Sequence, residues 1–241
     1  MRINMNNKKF DNDLIVRNKT AGNDETYLKP LPPPAAYEYF KELDQRIIYI
    51  DSDIDSELDT LRVLKQIIRW NIEDIGKPVS KRDPIYILFF CYGGDADICT
   101  ALIDGIQASE TPIIGVNLGV AYSAAAYIYI SCPTRYMMEH SMLLFHQGSA
   151  EFSGTFQVIM ASMQQYQKKI DKLADIVKRF TKIPDEEIED NIENEWYMTA
   201  EEAIQKGAAD KIVKNYTDLF KEVSGIKKVK LPKIVDSEVQ N

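Results

Sequence analysis

The sequence predicts an α/β layered fold with a largely parallel sheet. Short β-branched or wholly apolar segments alternate with segments whose apolar residues recur every three or four positions. Glycine or acidic turns separate the two kinds of segment, and this alternation is typical of parallel strands covered by helices. The chain has 241 residues, 45% of them hydrophobic and 27% charged, so it can bury a sizeable core.

Two strand–turn–helix units are predicted in the first half of the chain. Residues 46–50 are a β-branched strand, and Ser56 is placed to cap the helix that follows. Residues 85–90 are continuously apolar, which indicates a strand buried on both faces. The chain then turns at Gly93-Gly94 into a helix with apolar residues at helical spacing.

The next units bring polar side chains to strand ends. Residues 112–116 form another predicted strand, and Gly119 is expected to open a turn before a helix of small residues over 123–130. Residues 142–145 form a strand that ends at His146.

Residues 155–180 form the clearest predicted helix. At about 26 residues it is ~39 Å long, more than one small domain needs to cover its core. Part of its apolar stripe is therefore expected to face another subunit, with local packing as the alternative. The stripe consists of Phe156, Ile159, Met163, Tyr166, Ile170, Leu173, Val177 and Phe180.

The two ends of the chain are expected to lie outside the domain. Residues 1–36 are polar, include a proline cluster, and are predicted to be a flexible arm. The domain is predicted over 37–213, followed by a tail over 214–241.

Composition excludes several function classes. A net charge of −8 argues against binding to nucleic acid through phosphate attraction. The cysteines, Cys91, Cys99 and Cys132, lack metal-ligand spacing, so no zinc site is expected, and buried reduced thiols are the interpretation. The start lacks the apolar core of a signal peptide, and no apolar segment reaches the ~18 residues of a membrane span. A soluble cytoplasmic protein is expected.

The candidate catalytic residues are identified by the small number of histidines and by their positions at strand and helix ends. Histidine is the usual general base near neutral pH, and the chain has two. His146 projects from a strand end, whereas His140 lies in a polar turn. Ser123 begins a helix, where free N–H groups and the helix dipole stabilise an oxyanion. The alternative is that Ser123 only caps that helix and that His146 is structural.

These motifs, in this order, resemble the proteolytic subunit of the Clp protease, a serine peptidase family. The resemblance covers about residues 37–213. It rests on C-Y-G-G-D at 91–95, G-V-A-Y-S-A-A-A at 119–126, M-L-L-F-H-Q at 142–147, the helix 155–180, and E-N-E-W-Y-M-T-A-E-E-A-I-Q-K-G-A-A-D at 193–210. It implies the fold shared with crotonases, made of repeated ββα units with a protruding handle helix.

The resemblance also implies roles. Ser123 would attack the peptide carbonyl, His146 would move the proton, and Glu195 would stand where the family has a triad aspartate. The backbone N–H groups of Gly94 and Ala124 would form the oxyanion hole. The alternative for Glu195 is a solvated charge. Three residues depart from the family pattern at or beside these motifs: Tyr92, Gly148 and Trp196.

The family assembles as two stacked seven-membered rings joined by their handle helices, and it receives unfolded polypeptides from an ATP-driven AAA+ unfoldase. That division of labour fits the absence of a phosphate-binding loop motif from this sequence, so no cofactor is expected on this chain. Tyr86 and Leu88 fall where the family lines its docking pocket for the unfoldase, although core packing explains them equally well.

Three functions follow from the sequence. The first is an active Clp-type serine endopeptidase. The second is a weakened or inactive ring subunit that acts as a scaffold or regulator. The third is a crotonase-like acyl-CoA enzyme, in which the Ser123 and His146 pairing would be coincidental.

Overall fold

The computed structural model describes residues 15–17, 26–28, 42, 44–55 and 57–220. The predicted cap at Ser56, most of the predicted arm and the tail beyond residue 220 lie outside these ranges. Within the arm, β1 (Ile15–Arg17) and β2 (Thr26–Leu28) pair antiparallel. This pair belongs to a unit separate from the domain, Glu42–Gly225.

A seven-stranded sheet forms the centre of the domain. Five strands run parallel in the order β3-β4-β5-β6-β9, and β7 pairs with the end of β5 in parallel and with β8 antiparallel. The predicted α/β class with a largely parallel sheet is therefore confirmed. The strands are β3 (Ile47–Ile50), β4 (Ile85–Cys91), β5 (Ile113–Tyr122), β6 (Thr134–Met138), β7 (Met142–Phe145), β8 (Trp196–Thr199) and β9 (Lys211–Val213).

Helices cover the sheet and extend from it. A short 3-10 helix over Val79–Lys81 leads into β4. No helix in the described ranges is both long enough and apolar enough to cross a membrane. The α-helices of the domain are α1 (Glu57–Glu73), α2 (Ala96–Gln107), α3 (Ala124–Ser131), α4 (Phe156–Phe180), α5 (Asp185–Asn191), α6 (Ala200–Gln205) and α7 (Tyr216–Leu219).

The central strand β4 separates two apolar clusters. Ile85, Ile87 and Phe89 join the main core, whereas Tyr86 and Leu88 join a smaller cluster on the opposite face. Alternate residues of a strand point to opposite faces, so a strand buried on both reads as a continuous apolar run. Tyr86 and Leu88 are 0% and 4% exposed, and the Tyr86 hydroxyl donates to the Leu219 carbonyl at 3.3 Å. In the described subunit they are core residues.

The turn predicted at Gly119 is wrong. β5 continues through this residue to Tyr122, because its last part pairs with β7: Val120 lies opposite Met142, and Tyr122 opposite Leu144. The glycine at 119 leaves room for a neighbouring side chain instead. A Cβ there would lie 2.8 Å from the ring of Phe90. The longer strand delivers Ser123 to the edge of the sheet where β7 also ends.

The long helix α4 is confirmed, with Thr155 as its N-cap and a C-terminus at Phe180. Its second half is anchored in the domain through buried Ile170, Leu173 and Val177. The first half carries large apolar side chains that are exposed in the single chain: Phe156, Val158, Met160 and Met163.

A buried carboxylate ties the start of β3 to α1. The Asp74 side chain is fully buried and accepts hydrogen bonds from Arg46 (2.6 and 2.9 Å), from Lys77 (2.7 Å) and from the Thr111 hydroxyl (3.0 Å). The guanidinium of Arg46, foremost, holds the pKa of Asp74 well below its usual range. Sequence analysis did not identify this network.

Candidate active site

Ser123 lies in a strained turn between β5 and α3. Its backbone angles are φ 52° and ψ −128°, and residues with a side chain rarely adopt a positive φ. Its N–H donates to the Leu144 carbonyl at 2.9 Å, which fastens the turn to β7. A strained strand-to-helix turn of this kind lifts a nucleophile clear of the sheet.

The Ser123 hydroxyl makes a hydrogen bond with His146. The distance from Oγ to Nε2 is 2.7 Å, across 23 residues of sequence. Ser123 occupies the N-cap position of α3, yet its side chain makes no capping hydrogen bond. The Ser123 hydroxyl therefore does not cap α3 in this structure. With Nδ1 carrying the imidazole proton, Nε2 is free to accept the serine proton.

Two tyrosines hold the chain on which His146 sits. The Tyr127 hydroxyl, from α3, donates to the His146 carbonyl at 2.8 Å. The Tyr166 hydroxyl, from α4, donates to the Gln147 carbonyl at 3.1 Å. Sequence analysis missed both. The available signal was a tyrosine inside the small, wholly apolar helix after Ser123, since a buried tyrosine hydroxyl requires a partner.

The Gly93-Gly94 turn packs directly against the serine. Gly93 has φ +115°, and a Cβ on it would lie 2.7 Å from the Ser123 Cβ and 3.2 Å from the Ala124 nitrogen. Gly94 has φ +148°, and a Cβ there would lie 2.3 Å from the Ile54 carbonyl oxygen. Both positions therefore exclude any side chain, and the close approach brings the turn to the start of α3.

Cys91 braces the same turn. Its sulfur accepts a hydrogen bond from the Gly93 N–H at 3.3 Å and donates to the Ser52 carbonyl at 3.0 Å. All three cysteines are buried and unbridged, as expected from the sequence. Burial raises the pKa values of the Cys91 and Cys99 thiols, which keeps them protonated and unsuited to attack a carbonyl.

The predicted oxyanion donors are the N–H of Gly94, in the glycine turn, and the N–H of Ala124, the first residue of α3. In the described ranges no acceptor takes the N–H of Gly94 or of Ala124. The Ala124 N–H is one of the donors that every helix leaves free at its first turn. Two free amides beside a serine hydroxyl suit a developing negative charge on oxygen.

Glu195 lies across from His146 but does not bind it. β8 pairs with β7 so that Trp196 lies opposite Phe145, and extending this register by one residue sets Glu195 opposite His146. The exposed carboxylate instead accepts a hydrogen bond from the Tyr197 hydroxyl at 2.8 Å. Among the described residues no hydrogen bond joins it to the imidazole.

Two of the three residues that depart from the family pattern, Tyr92 and Trp196, pack against aromatic rings. The centroids of the Tyr92 and Tyr122 rings are 5.7 Å apart in an edge-on contact, and Tyr122 and Tyr197 form the same contact at 5.7 Å. Trp196 packs on Phe145 at 6.0 Å with Lys206 over its face. Gly148 has φ +77°, a conformation that glycine adopts freely.

His140 takes no part in the site. It lies in the exposed turn between β6 and β7, as the sequence predicted. Its neighbours Glu139 and Lys214 form an ion pair at 2.9 Å.

Comparison with known proteins shows which family the chain resembles. A family model described as Clp protease matches residues 34–216. The ATP-dependent Clp protease proteolytic subunit 2 of Treponema denticola is 25% identical over 181 residues, which cover 74% of this chain and 87% of that protein. The ATP-dependent Clp protease proteolytic subunit of Deinococcus radiodurans is 24% identical over 177 residues, covering 73% and 83%. The resemblance inferred from the sequence is confirmed.

Proposed function

The chain belongs to the Clp protease family, and from that premise we propose that it is a serine endopeptidase subunit that cleaves unfolded polypeptides inside an oligomeric chamber. The observation that carries the proposal is the 2.7 Å hydrogen bond between the Ser123 hydroxyl and His146, formed at a strained turn beside two free amides. Family membership supports a peptidase, and this pair supports the serine type.

The reaction follows from these groups. The Ser123 Oγ attacks the scissile carbonyl carbon while its proton passes to His146 Nε2. The carbonyl oxygen becomes an oxyanion and accepts hydrogen bonds from the N–H groups of Gly94 and Ala124. The imidazolium then protonates the departing amine as the C–N bond breaks, leaving an acyl-enzyme. Water, deprotonated by His146, attacks the ester and releases the acid and the free serine.

Glu195 is proposed as the third member of the triad. The register of β7 and β8, extended by one residue, sets its backbone opposite that of His146, which supports this assignment. There it would accept the Nδ1 proton in a hydrogen bond, fix the tautomer and stabilise the imidazolium. Loss of this group by Glu195→Ala should lower turnover by about 10⁴, the usual result of a misoriented histidine.

The proposed chamber consists of two stacked seven-membered rings that meet through α4. The apolar side chains of its first half support this assembly, because they are 41–73% exposed in the described subunit. Polypeptide would be delivered by an AAA+ unfoldase, in keeping with the words ATP-dependent in the names of the relatives. ATP would be used by that partner, with no cofactor on this chain and with both proteins in the cytoplasm.

One observation favours a second candidate, a weakened ring subunit. The Glu195 carboxylate binds Tyr197 rather than His146, so the described triad is incomplete. A subunit fixed in this arrangement would assemble into rings but would hydrolyse peptides slowly.

The test is labelling with a fluorophosphonate probe on the purified, assembled protein, with hydrolysis of a fluorogenic peptide measured in parallel. Ser123→Ala and His146→Ala should remove both signals. His140→Ala is the matched control, because it deletes the other histidine from an exposed turn. If the wild-type assembly is neither labelled nor active, the enzyme proposal is contradicted and the scaffold function is supported.

A further inference from the structure

The carboxylate of Glu195 has one observed partner, Tyr197, and one proposed partner, His146. It is bound to the Tyr197 hydroxyl at 2.8 Å, and its backbone lies opposite that of His146 in the register of β7 and β8. Glu195 and Tyr197 are two residues apart, so their side chains leave the chain on the same side and meet. The carboxylate oxygen that accepts this hydrogen bond is turned toward Tyr197.

The ring of Tyr197 is itself held in place by the strand that carries the nucleophile. Its edge packs on Tyr122 at 5.7 Å with an interplanar angle of 84°, and Tyr122 directly precedes Ser123. Tyr197 also lies opposite Leu144, two residues before His146 on β7. The phenol therefore keeps a fixed position relative to both members of the catalytic pair.

We propose that Tyr197 is a positioning residue that holds Glu195 away from His146, so that the triad is complete only when the carboxylate exchanges the phenol for the imidazole. The inference rests on the proposed function, because it assigns Tyr197 control over the same Ser123–His146 site.

The exchange involves no covalent step. In the held state the Tyr197 O–H donates to the Glu195 carboxylate, and in the complete state the His146 Nδ1–H donates to it instead. Each donor keeps its proton in the exchange. The Glu195 carboxylate raises the pKa of Tyr197 above its ordinary value, which keeps the phenol a donor at neutral pH.

Solvent access makes the exchange easy. Glu195 is exposed and the Tyr197 side chain is 46% exposed, so water can satisfy whichever donor the carboxylate leaves. Neither state is locked by burial. Removal of the Tyr197 hydroxyl should therefore raise the fraction of subunits with a complete triad by a modest factor, rather than create that state where there was none.

The test is a double-mutant cycle on the assembled protein with a fluorogenic peptide. Tyr197→Phe keeps the ring and its contact with Tyr122 and removes the hydroxyl. We expect kcat to rise about three- to tenfold with KM unchanged, since the complete state gains population. In a Glu195→Ala background the same substitution should change nothing, because there is no carboxylate to release. Tyr216→Phe, at an exposed tyrosine on α7, is the control.

A kcat for Tyr197→Phe at or below that of the wild type overturns the inference, as does an equal rise in both backgrounds. Failure of the proposed function is a different result, in which the wild type shows no Ser123-dependent labelling or hydrolysis. A structure of the Tyr197→Phe protein then still decides the inference. A Glu195 oxygen about 3 Å from His146 Nδ1 supports it, and a carboxylate still turned from the imidazole contradicts it.

Discussion

The hydroxyl of Tyr127 donates a hydrogen bond to the backbone carbonyl of His146 at 2.8 Å. Tyr127 lies one turn after Ser123 on the same helix, so a single element carries the nucleophile and fixes the residue that binds it. The geometry of the catalytic pair thus depends on a side chain that takes no part in the chemistry.

Replacement of Tyr127 by phenylalanine should distinguish the effect of positioning His146 from the effect on the stability of the fold. Loss of the hydroxyl leaves the His146 carbonyl without this donor and frees the end of β7, so we expect kcat to fall about tenfold. The free energy of unfolding should fall by about 1 kcal/mol. Peptide hydrolysis and urea titration measure the two quantities.

Tyr129→Phe is the matched control for this change. Tyr129 is also buried on α3, and its hydroxyl donates to the Tyr136 carbonyl at 3.1 Å, away from the site. It should lose comparable stability and keep the wild-type kcat. Equal losses of turnover in both variants would show that α3 tolerates neither change and that Tyr127 has no special role.

Gly93→Ala should inactivate the protein. The new methyl group would lie 2.7 Å from the Ser123 Cβ, so either the serine or the oxyanion turn must move. A displacement near 1 Å at the reacting groups typically costs about 100-fold in rate. Fluorogenic peptide turnover, with circular dichroism to confirm folding, is the measurement.

The comparison for Gly93 is Gly76→Ala. Gly76 also has positive φ, at +84°, but a Cβ there meets nothing within 4 Å. It should cost only backbone strain, about 1 kcal/mol, with kcat preserved. Turnover retained by Gly93→Ala would mean that the turn does not pack against the nucleophile as described.

Asp74 should dominate the acid sensitivity of the domain. Removal of this carboxylate by Asp74→Ala strands the nearly buried Arg46 and should lower the free energy of unfolding by about 3–5 kcal/mol. Glu73→Gln is the adjacent control, since Glu73 pairs with Arg69 at the surface, where such pairs contribute about 0.5 kcal/mol.

The pH dependence of this contribution has a defined sign. Because the pKa of Asp74 is lower in the folded chain than in the unfolded one, the unfolded state binds more protons at acid pH. The stabilisation is complete above the ordinary carboxyl pKa of about 4 and is lost as the pH falls below it. The stability difference between wild type and Asp74→Asn should shrink between about pH 5 and pH 2, and a constant difference would contradict the assignment.

Charge placed on the first half of α4 should reduce the size of the assembly. Met163 is 49% exposed in the single chain, so Met163→Glu leaves the fold intact and sets a carboxylate in the proposed contact between rings. Light scattering should show a smaller particle, whereas Gln164→Glu, one residue further around the helix, should keep the full mass. An unchanged mass for Met163→Glu would remove α4 from the interface. Ile170 is only 9% exposed, so charge there tests folding instead.

Local pattern predicted most of what positions the site. The apolar run of β4, the period of α4 and the glycine pair each carry their cause within a few residues. The turn predicted at Gly119 failed because glycine was interpreted as a backbone signal, whereas here it makes room for Phe90 from a neighbouring strand. Phe90 and Gly119 are 29 residues apart in the sequence, so a pattern read over neighbouring residues does not indicate their contact.

Long-range polar contacts were the other gap. The family resemblance joined Ser123 to His146, but nothing in the pattern indicated the Arg46–Asp74 network. A tyrosine in the apolar helix after Ser123 indicates that its hydroxyl has a partner, but spacing does not indicate which one. The role of Glu195 stays a prediction. Its backbone position follows from the register of β7 and β8. The direction of its side chain follows from the hydrogen bond with Tyr197, which the spacing of residues in the sequence does not predict.

The helix that begins beside Ser123 is buried along all eight of its residues, Ala124–Ser131. Such an element opens only when the whole domain opens, because none of its faces can be hydrated separately. Heat should therefore leave the serine correctly presented until the cooperative transition. Loss of probe reactivity and loss of circular dichroism should then follow one melting curve.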